Sequence, residues 1–267
     1  RGADIARVPV AHAFAIVHDD ARVSLFIDPA KTDAALAAHL GPEITLRPPE
    51  AFEAGLKSLV GPVRVDPETA PEAVARALRG AGREVVAGDD PCILRKACKA
   101  AAELAGARAA HLRDGAAMAE FLCWLDGELP KGTLTEIDVV RALEGFREAT
   151  GALRDIAFET ICGAGPNGAI VHYRVSEASN RPIAPDDVLL VDSGGQYLDG
   201  TTDITRTLCA GHPPKGARAA FTRVLQGLIA LSRARFPKGL AGRDLDALAR
   251  APLWQAGQDY DHGTGHG

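Results

Sequence analysis

Alternating hydrophobic and polar positions in the first third of the chain predict an α/β unit. Two short apolar runs, Phe14–Val17 and Val23–Ile27, flank the polar segment His18–Ala21 and are typical of a β-hairpin. Further along, short strand-like runs alternate with segments whose apolar residues recur at helical spacing. Helices are predicted at 31–40, 51–60 and 71–80, and strands at 62–66 and 84–87. No residues of catalytic type cluster here, so we expect a scaffold or assembly domain.

The pattern changes near Gly88–Pro91, which predicts a boundary between two domains, residues 1–93 and 94–267. From Ile93 to Leu129 the sequence is rich in Ala, Leu and basic residues. This composition predicts one long helix, bent or split near Asp114–Gly115.

Beyond residue 130 the pattern predicts strands that are framed by helices. Thr133 and Glu136 have the spacing of a capping box, so a helix is expected from there to about Thr150. Strands are predicted at 158–162, 169–175, 188–193 and 202–209, and later helices at 217–235 and 242–256. The chain as a whole is therefore predicted to be a mixed α/β protein.

The composition disfavours nucleic-acid binding and a membrane-spanning segment. The 267 residues carry 30 Lys and Arg against 35 Asp and Glu, so the basic excess that nucleic-acid phosphates require is missing. Apolar runs stay shorter than the ~20 residues of a membrane span. The cysteines number five, with no CxxC pair, which predicts reduced thiols and a cytoplasmic location. Because the chain begins with Arg1, we expect that an N-terminal portion precedes it.

One glycine motif invites a nucleotide-binding interpretation that its context disfavours. The segment Gly163–Gly168 matches G-x-G-x-x-G, but the dinucleotide fingerprint needs a helix to begin at the third glycine. Here β-branched residues follow and Pro166 lies inside the motif. We therefore predict a turn between strands.

A pair of carboxylates is the first candidate for chemistry. The apolar strand Val188–Val191 ends in Asp192, and the next strand carries Asp203, eleven residues further on. An antiparallel return would bring the two aspartates together, where they would repel each other and lose hydration. A divalent cation with oxygen ligands relieves both costs. At this level, two ordinary turn aspartates remain the alternative.

Histidines form the second candidate group. His262 and His266 have the spacing of a helical metal-binding pair, but Gly263 and Gly265 disfavour a helix and favour a loop that packs closely around something. Imidazoles so placed can bind a metal through one ring nitrogen, yet a purely structural role stays open. His172, on a predicted strand, is equally ambiguous by itself.

Taken together, the motifs resemble the Xaa-Pro aminopeptidases (aminopeptidase P) of the pita-bread metallopeptidase family, which also includes prolidase and methionine aminopeptidase. The segments that carry the resemblance are Gly165–Tyr173, Val191–Gly194, Asp199–Thr207 and His262–Gly267, with weaker similarity at Ala109–Asp114 and Arg1–Asp4. The resemblance implies an α/β (α+β) fold: a creatinase-like N-terminal domain followed by a C-terminally incomplete pita-bread catalytic domain.

The resemblance also implies a dinuclear site for two divalent metal ions, usually manganese. Asp192 would chelate one metal, Asp203 would bridge both, and His266 would bind the other. The catalytic residues His172 and His262 would line the substrate cleft and help proton movement. The substrates implied are peptides with proline in the second position, and homodimers are common among relatives.

The match has departures and rivals. The family's site needs two further glutamates downstream of the histidine motif, where this chain stops at Gly267, and a first domain before Arg1. We therefore expect residues 1–267 alone to be weakly active or inactive and the parent protein to be an aminopeptidase. The rivals are a prolidase, which cuts Xaa-Pro dipeptides, and a metal-free pita-bread binding module or creatinase. Both metal-free classes typically lack the metal-binding side chains that this sequence keeps.

Overall fold

The computed structural model of the chain describes residues 4–266, so Gly267 and most of the Arg1–Asp4 motif lie outside the described residues. The chain divides into two units, Arg1–Arg108 and Ala109–Gly267. The domain boundary near residue 93 stays a prediction.

The first unit is built on the predicted hairpin, which is confirmed. Strand β1 (Ala13–Val17) pairs antiparallel with β2 (Val23–Ile27), and β3 (Ile44–Arg47) joins β2 in parallel after helix α1 (Ala34–Leu40). The other elements are α2 (Phe52–Ser58), β4 (Val63–Val65), α3 (Glu72–Gly80), β5 (Val85–Ala87) and α4 (Pro91–Ala97). Phe26 is buried and packs edge-on against Phe52, so α2 covers the sheet.

The predicted break near Asp114–Gly115 is wrong. Helix α5 (Ala101–Glu128) runs through both residues, and the helical signal is interrupted earlier, between α4 and α5. The Asp114 side chain is completely buried and its Oδ1 lies 2.7 Å from Nε of Arg147 on α6 (Glu136–Glu148). Asp114 is therefore present in the helix because it forms a buried ion pair with Arg147, and not because the chain turns there.

The capping box at the start of α6 exists, but two residues later than predicted. Thr135 is the N-cap: its side chain accepts a hydrogen bond from the backbone N–H of Asp138, whose carboxylate accepts in return from the Thr135 N–H. The sequence offers two overlapping frames with the same spacing. Glu136 is instead buried, which takes it away from the cap.

The second unit contains a three-stranded antiparallel sheet in the order β10-β8-β7 and a two-stranded pair, β6 with β9. The strands are β6 (Asp155–Ile156), β7 (Ile161–Ala164), β8 (Val188–Ser193), β9 (Gly195–Gln196) and β10 (Ile204–Cys209). Alternate residues of β8, such as Leu189 and Val191, point into a core shared with α5 and α6. Asp192 consequently belongs to the opposite face of the sheet.

The strand predicted at 169–175 is absent. A 3₁₀ turn, Gly165–Ala169, follows β7, and the chain then reverses through His172, whose φ is +54°. The glycine motif is thus a turn, as predicted, but no strand follows it. The two last helices, α7 (Ala217–Ser232) and α8 (Gly242–Trp254), confirm the predicted ones. Among residues 4–266, none of the helices has the length and apolarity that a membrane span requires.

Candidate metal centre

Asp192 and Asp203 lie on one face of the three-stranded sheet. In the β8–β10 ladder Asp192 is directly opposite Thr205, and the Thr205 hydroxyl donates a 2.7 Å hydrogen bond to Asp192 Oδ1. Asp203 comes two residues before Thr205, so it belongs to the same face. Diagonal neighbours on one face of an antiparallel pair are within reach of each other's side chains.

The two carboxylates influence each other. Partial desolvation, followed by the negative charge of Asp192, raises the pKa of Asp203, and His266 acts in the opposite direction. Nε2 of His266 lies 3.6 Å from Oδ2 of Asp203, with the two side chains 83% and 46% exposed. Carboxylates and imidazoles are donor groups that a divalent cation can bind, and here Asp203 approaches one of each.

Two sets of contacts fix the loop between the aspartates. Side chains of α5 bind Tyr197 and Asp199, and the backbone at Gly194 lies close to that at Thr202. Asp114 accepts a 2.6 Å hydrogen bond from the Tyr197 hydroxyl, and the neighbouring Arg113 pairs with Asp199 at 2.9 Å. A Cβ at Gly194 would overlap the carbonyl oxygen of Thr202, so glycine is needed at that turn. These contacts hold the connection between the two candidate ligands in one path.

The histidine segment is an exposed loop tied to α8. The His262 ring stacks on Tyr260 with centroids 4.7 Å apart, and His262 Nδ1 lies 2.8 Å from the carbonyl oxygen of Gly263. Arg250 of α8 donates to the His262 carbonyl at 3.0 Å. The predicted loop is therefore confirmed, but the close packing expected of it is not observed among the described residues, since a Cβ at Gly263 or Gly265 would meet nothing within 4 Å.

His172 follows a turn that is organised by the buried carboxylate of Glu136. Glu136 accepts hydrogen bonds from the Ala164 N–H at 2.8 Å, from Asn167 Nδ2 at 3.0 Å and from the Tyr173 hydroxyl at 3.1 Å. His172 itself is exposed, and within residues 4–266 no hydrogen bond or ion pair joins it to the aspartates. Its place in a substrate cleft stays a prediction.

The donor types fit a divalent metal, but the ligand set is incomplete. Carboxylate oxygen and imidazole nitrogen suit manganese, zinc and cobalt alike. Nevertheless, in the described part of the chain no three His, Cys, Asp or Glu side chains are close enough together to hold an ion. The structure therefore brings Asp203 next to Asp192 and next to His266, and the assignment of all three as ligands remains a prediction.

Several supporting residues escaped the sequence analysis. Glu136 was assigned to a cap, and Thr205 carried no signal beyond its strand position. Asp246 and Arg250 have the i, i+4 spacing of a helical ion pair, which could have been noticed. The contacts of that pair with His262 and Thr264 depend on the path of the loop after α8, which local spacing cannot predict.

Comparison with known proteins defines the family. Residues 94–267 match the model of metallopeptidase family M24, and residues 1–103 match the creatinase/prolidase N-terminal domain. The chain belongs to metallopeptidase family M24. The predicted fold is confirmed: a creatinase-like N-terminal domain is followed by a pita-bread domain.

Among its relatives, the chain is 43% identical over 278 aligned residues to a probable Xaa-Pro aminopeptidase P from Aspergillus fumigatus. That alignment covers 100% of this chain but 42% of the relative, so the chain spans less than half of its length. The crystal structure of a Caenorhabditis elegans X-prolyl aminopeptidase, described as a cytosolic enzyme with a di-nuclear active site, superposes with a TM-score of 0.89. It is 35% identical and the match covers 98% of this chain and 44% of that one. A Bacillus anthracis Xaa-Pro dipeptidase shares the fold at a TM-score of 0.74 and 22% identity, covering 98% of this chain and 73% of its own.

Proposed function

We propose that the whole protein is a metal-dependent aminopeptidase that releases the N-terminal residue from peptides with proline in the second position. The observation that carries the proposal is the approach of two aspartates on one sheet face, with an imidazole 3.6 Å from Asp203. The Aspergillus fumigatus and Caenorhabditis elegans relatives, which are aminopeptidases of this specificity by name, support the substrate class. The metal-free classes typically lack metal-binding side chains, whereas Asp192, Asp203 and His266 are all present here.

In this proposal Asp192, Asp203 and His266 hold the metals. Two divalent cations supply Lewis acidity for the scissile carbonyl and a positive site for the free amine of the peptide. The protein's carboxylates reduce the net charge of that site. A prolyl peptide bond is a tertiary amide with a rigid ring, so orientation by the surrounding residues matters more than for ordinary peptides.

His262 and His172 are the proposed proton-handling residues. The Gly263 carbonyl can only accept a hydrogen bond, so Nδ1 of His262 carries the proton and Nε2 is left as an acceptor. An imidazole in this tautomer can accept a proton at Nε2 from the attacking water and can then donate it to the proline nitrogen as the peptide bond breaks. His172, on an exposed reversal of the chain, is proposed to contact the peptide.

We further propose manganese as the metal and the cytosol as the location. The metal rests on the family resemblance, because the donor atoms do not discriminate among manganese, zinc and cobalt. The location is supported by the description of the nematode enzyme as cytosolic and by five unpaired cysteines. Homodimerisation stays a prediction.

The test compares three peptides with the purified whole protein, after chelation and after addition of Mn²⁺. We expect release of the first residue from an Xaa-Pro-Yaa tripeptide, dependence on the added metal, and little cleavage of Xaa-Ala-Yaa. Cleavage confined to the Xaa-Pro dipeptide would indicate a prolidase instead. No turnover with Mn²⁺, Zn²⁺ or Co²⁺ would overturn the proposal in favour of a binding module.

A further inference from the structure

The segment that carries His262 and His266 has no regular structure of its own. Residues 261–266 are exposed and form neither helix nor strand. A Cβ at Gly263 or at Gly265 would meet nothing within 4 Å, so crowding does not explain these glycines. Glycine increases the freedom of the backbone. Apart from the contact of His262 Nδ1 with the Gly263 carbonyl, the contacts that can set the direction of the two imidazoles come from outside the segment.

Arg250 of α8 supplies one of these contacts directly and supports others through neighbouring residues. Its guanidinium donates to Asp246 at 2.7 Å, to Asp259 at 2.8 Å and to the carbonyl of His262 at 3.0 Å. The same group lies 4.0 Å above the Tyr260 ring, against which the His262 ring stacks. Although the loop is exposed, only 15% of the Arg250 side chain is accessible. Arg250 thus touches the histidine segment through its backbone and through the ring beneath His262.

Asp246 makes the second tie, beyond Gly263. Its carboxylate binds Arg250 and also accepts a hydrogen bond from the hydroxyl of Thr264, which lies between the two histidines. The Thr264 hydroxyl is also 2.6 Å from the Tyr260 hydroxyl. The flexible glycine is therefore bracketed by one anchored residue on each side.

We propose that Arg250 and Asp246 are positioning residues that hold His262 and His266 in the orientation needed at the metal site. In this proposal they act through the loop, which they contact at the His262 carbonyl and the Thr264 hydroxyl, and not by binding substrate or metal. This inference rests on the proposed function for its catalytic meaning, but the ordering of the loop can be measured without activity. Residues that orient metal ligands typically contribute ~10–100-fold to metal affinity.

The test uses the variants Arg250→Met and Thr264→Val in the whole protein. We expect faster amide hydrogen exchange at residues 263–266 without metal, and Mn²⁺ affinity lowered by ~10–100-fold in a titration. Thr264→Ser, which keeps the hydroxyl, should restore both. Arg250→Lys should not restore them. The guanidinium binds Asp246, Asp259 and the His262 carbonyl through three separate nitrogens in a fixed plane, and the single nitrogen of an ammonium cannot reproduce that geometry. The matched control is Arg223→Met, since Arg223 of α7 donates a 3.1 Å hydrogen bond to the nearby Gln258 side chain and, among residues 4–266, does not contact the histidine segment.

The outcomes distinguish a failure of the positioning role from a failure of the proposed function. If Arg250→Met and Thr264→Val both exchange amides and bind Mn²⁺ as the unaltered protein does, the positioning role is overturned. If Arg250→Met does not fold, Thr264→Val decides alone, because it removes one exposed hydroxyl. If the unaltered protein cleaves no Xaa-Pro peptide but the exchange and Mn²⁺ differences appear, the proposed function fails and the positioning role stands.

Discussion

The two halves of the candidate metal centre are held in place by different physical means. The aspartate half is built on the backbone: Asp192 is inside β8 and Asp203 immediately precedes β10, so the ladder of main-chain hydrogen bonds sets their separation. The histidine half is an exposed glycine-containing loop that side chains of α8 tie down. A sheet register can change only in whole-residue steps, whereas a tied loop can shift gradually.

This difference predicts which property, stability or metal binding, a substitution in each half should change. Changes beneath the aspartate half should show in the stability of the whole unit, because its supports are buried between α5, α6 and the loop after β9. Changes around the histidine half should affect stability less and should mainly alter metal binding.

The largest effect is expected for a candidate ligand itself. Asp203→Asn removes a negative charge from the centre and should lower metal-dependent peptidase activity by at least ~10²-fold, since metal catalysis contributes several kcal/mol. Steady-state kinetics at saturating Mn²⁺ would measure it. Asp186→Asn, at an exposed turn before β8, is the matched control and should be silent. Equal activity of the two variants would exclude Asp203 as a ligand.

A loss of stability is expected when the buried support is broken. Arg147→Met leaves the fully buried Asp114 carboxylate without its cation and should lower the free energy of unfolding by ~3–5 kcal/mol. Arg141→Met, on the same helix, removes an exposed 3.4 Å pair with Glu177 and should cost below ~1 kcal/mol. Urea denaturation of both variants would decide. Similar midpoints would contradict the support assigned to Asp114.

The same pair predicts a pH dependence. Burial would raise the pKa of Asp114, but hydrogen bonds from Arg147 and Tyr197 outweigh it, and the pKa is lowered. A lowered folded-state pKa gives stability that is complete above the unfolded value of ~4 and is lost as the pH falls through the folded value. Asp114→Asn should therefore flatten the decline of the urea midpoint below pH ~4. An unchanged decline would assign the acid sensitivity to other carboxylates.

The smallest effect is expected for the hydroxyl that supports Asp192. Thr205→Val keeps the strand and the shape of the side chain but removes the 2.7 Å hydrogen bond. One such bond contributes ~1 kcal/mol, so Mn²⁺ affinity should fall by less than ~10-fold while the thermal midpoint hardly moves. Calorimetric titration can measure this. A loss as large as that of Asp203→Asn would make Thr205 more than a support.

The aspartate half was also the more predictable one. Apolar alternation along β8, a turn and a second strand suffice to predict that Asp192 and Asp203 approach each other. The positions of Asp114 and Glu136 were mispredicted because each is used in a tertiary contact that local spacing does not encode. The strand expected around His172 was wrong for the same reason, since buried Glu136 binds Tyr173 and helps bend the chain there.

The histidine half could be predicted only as a motif. Two glycines correctly indicated a loop, and the resemblance identified His262 and His266 as site residues. The hydrogen bond from Arg250 to the His262 carbonyl depends on how the loop packs against α8. The spacing of apolar residues along the sequence does not predict that packing.

The most direct test of the account is anomalous diffraction from crystals of the whole protein soaked in Mn²⁺. We predict manganese peaks within ~2.0–2.3 Å of carboxylate oxygens of Asp192 and Asp203, one of them also bound by His266 Nε2. Peaks located elsewhere, or a site that contacts the aspartates while His266 points away at full occupancy, would contradict the convergence of the two halves on one metal centre.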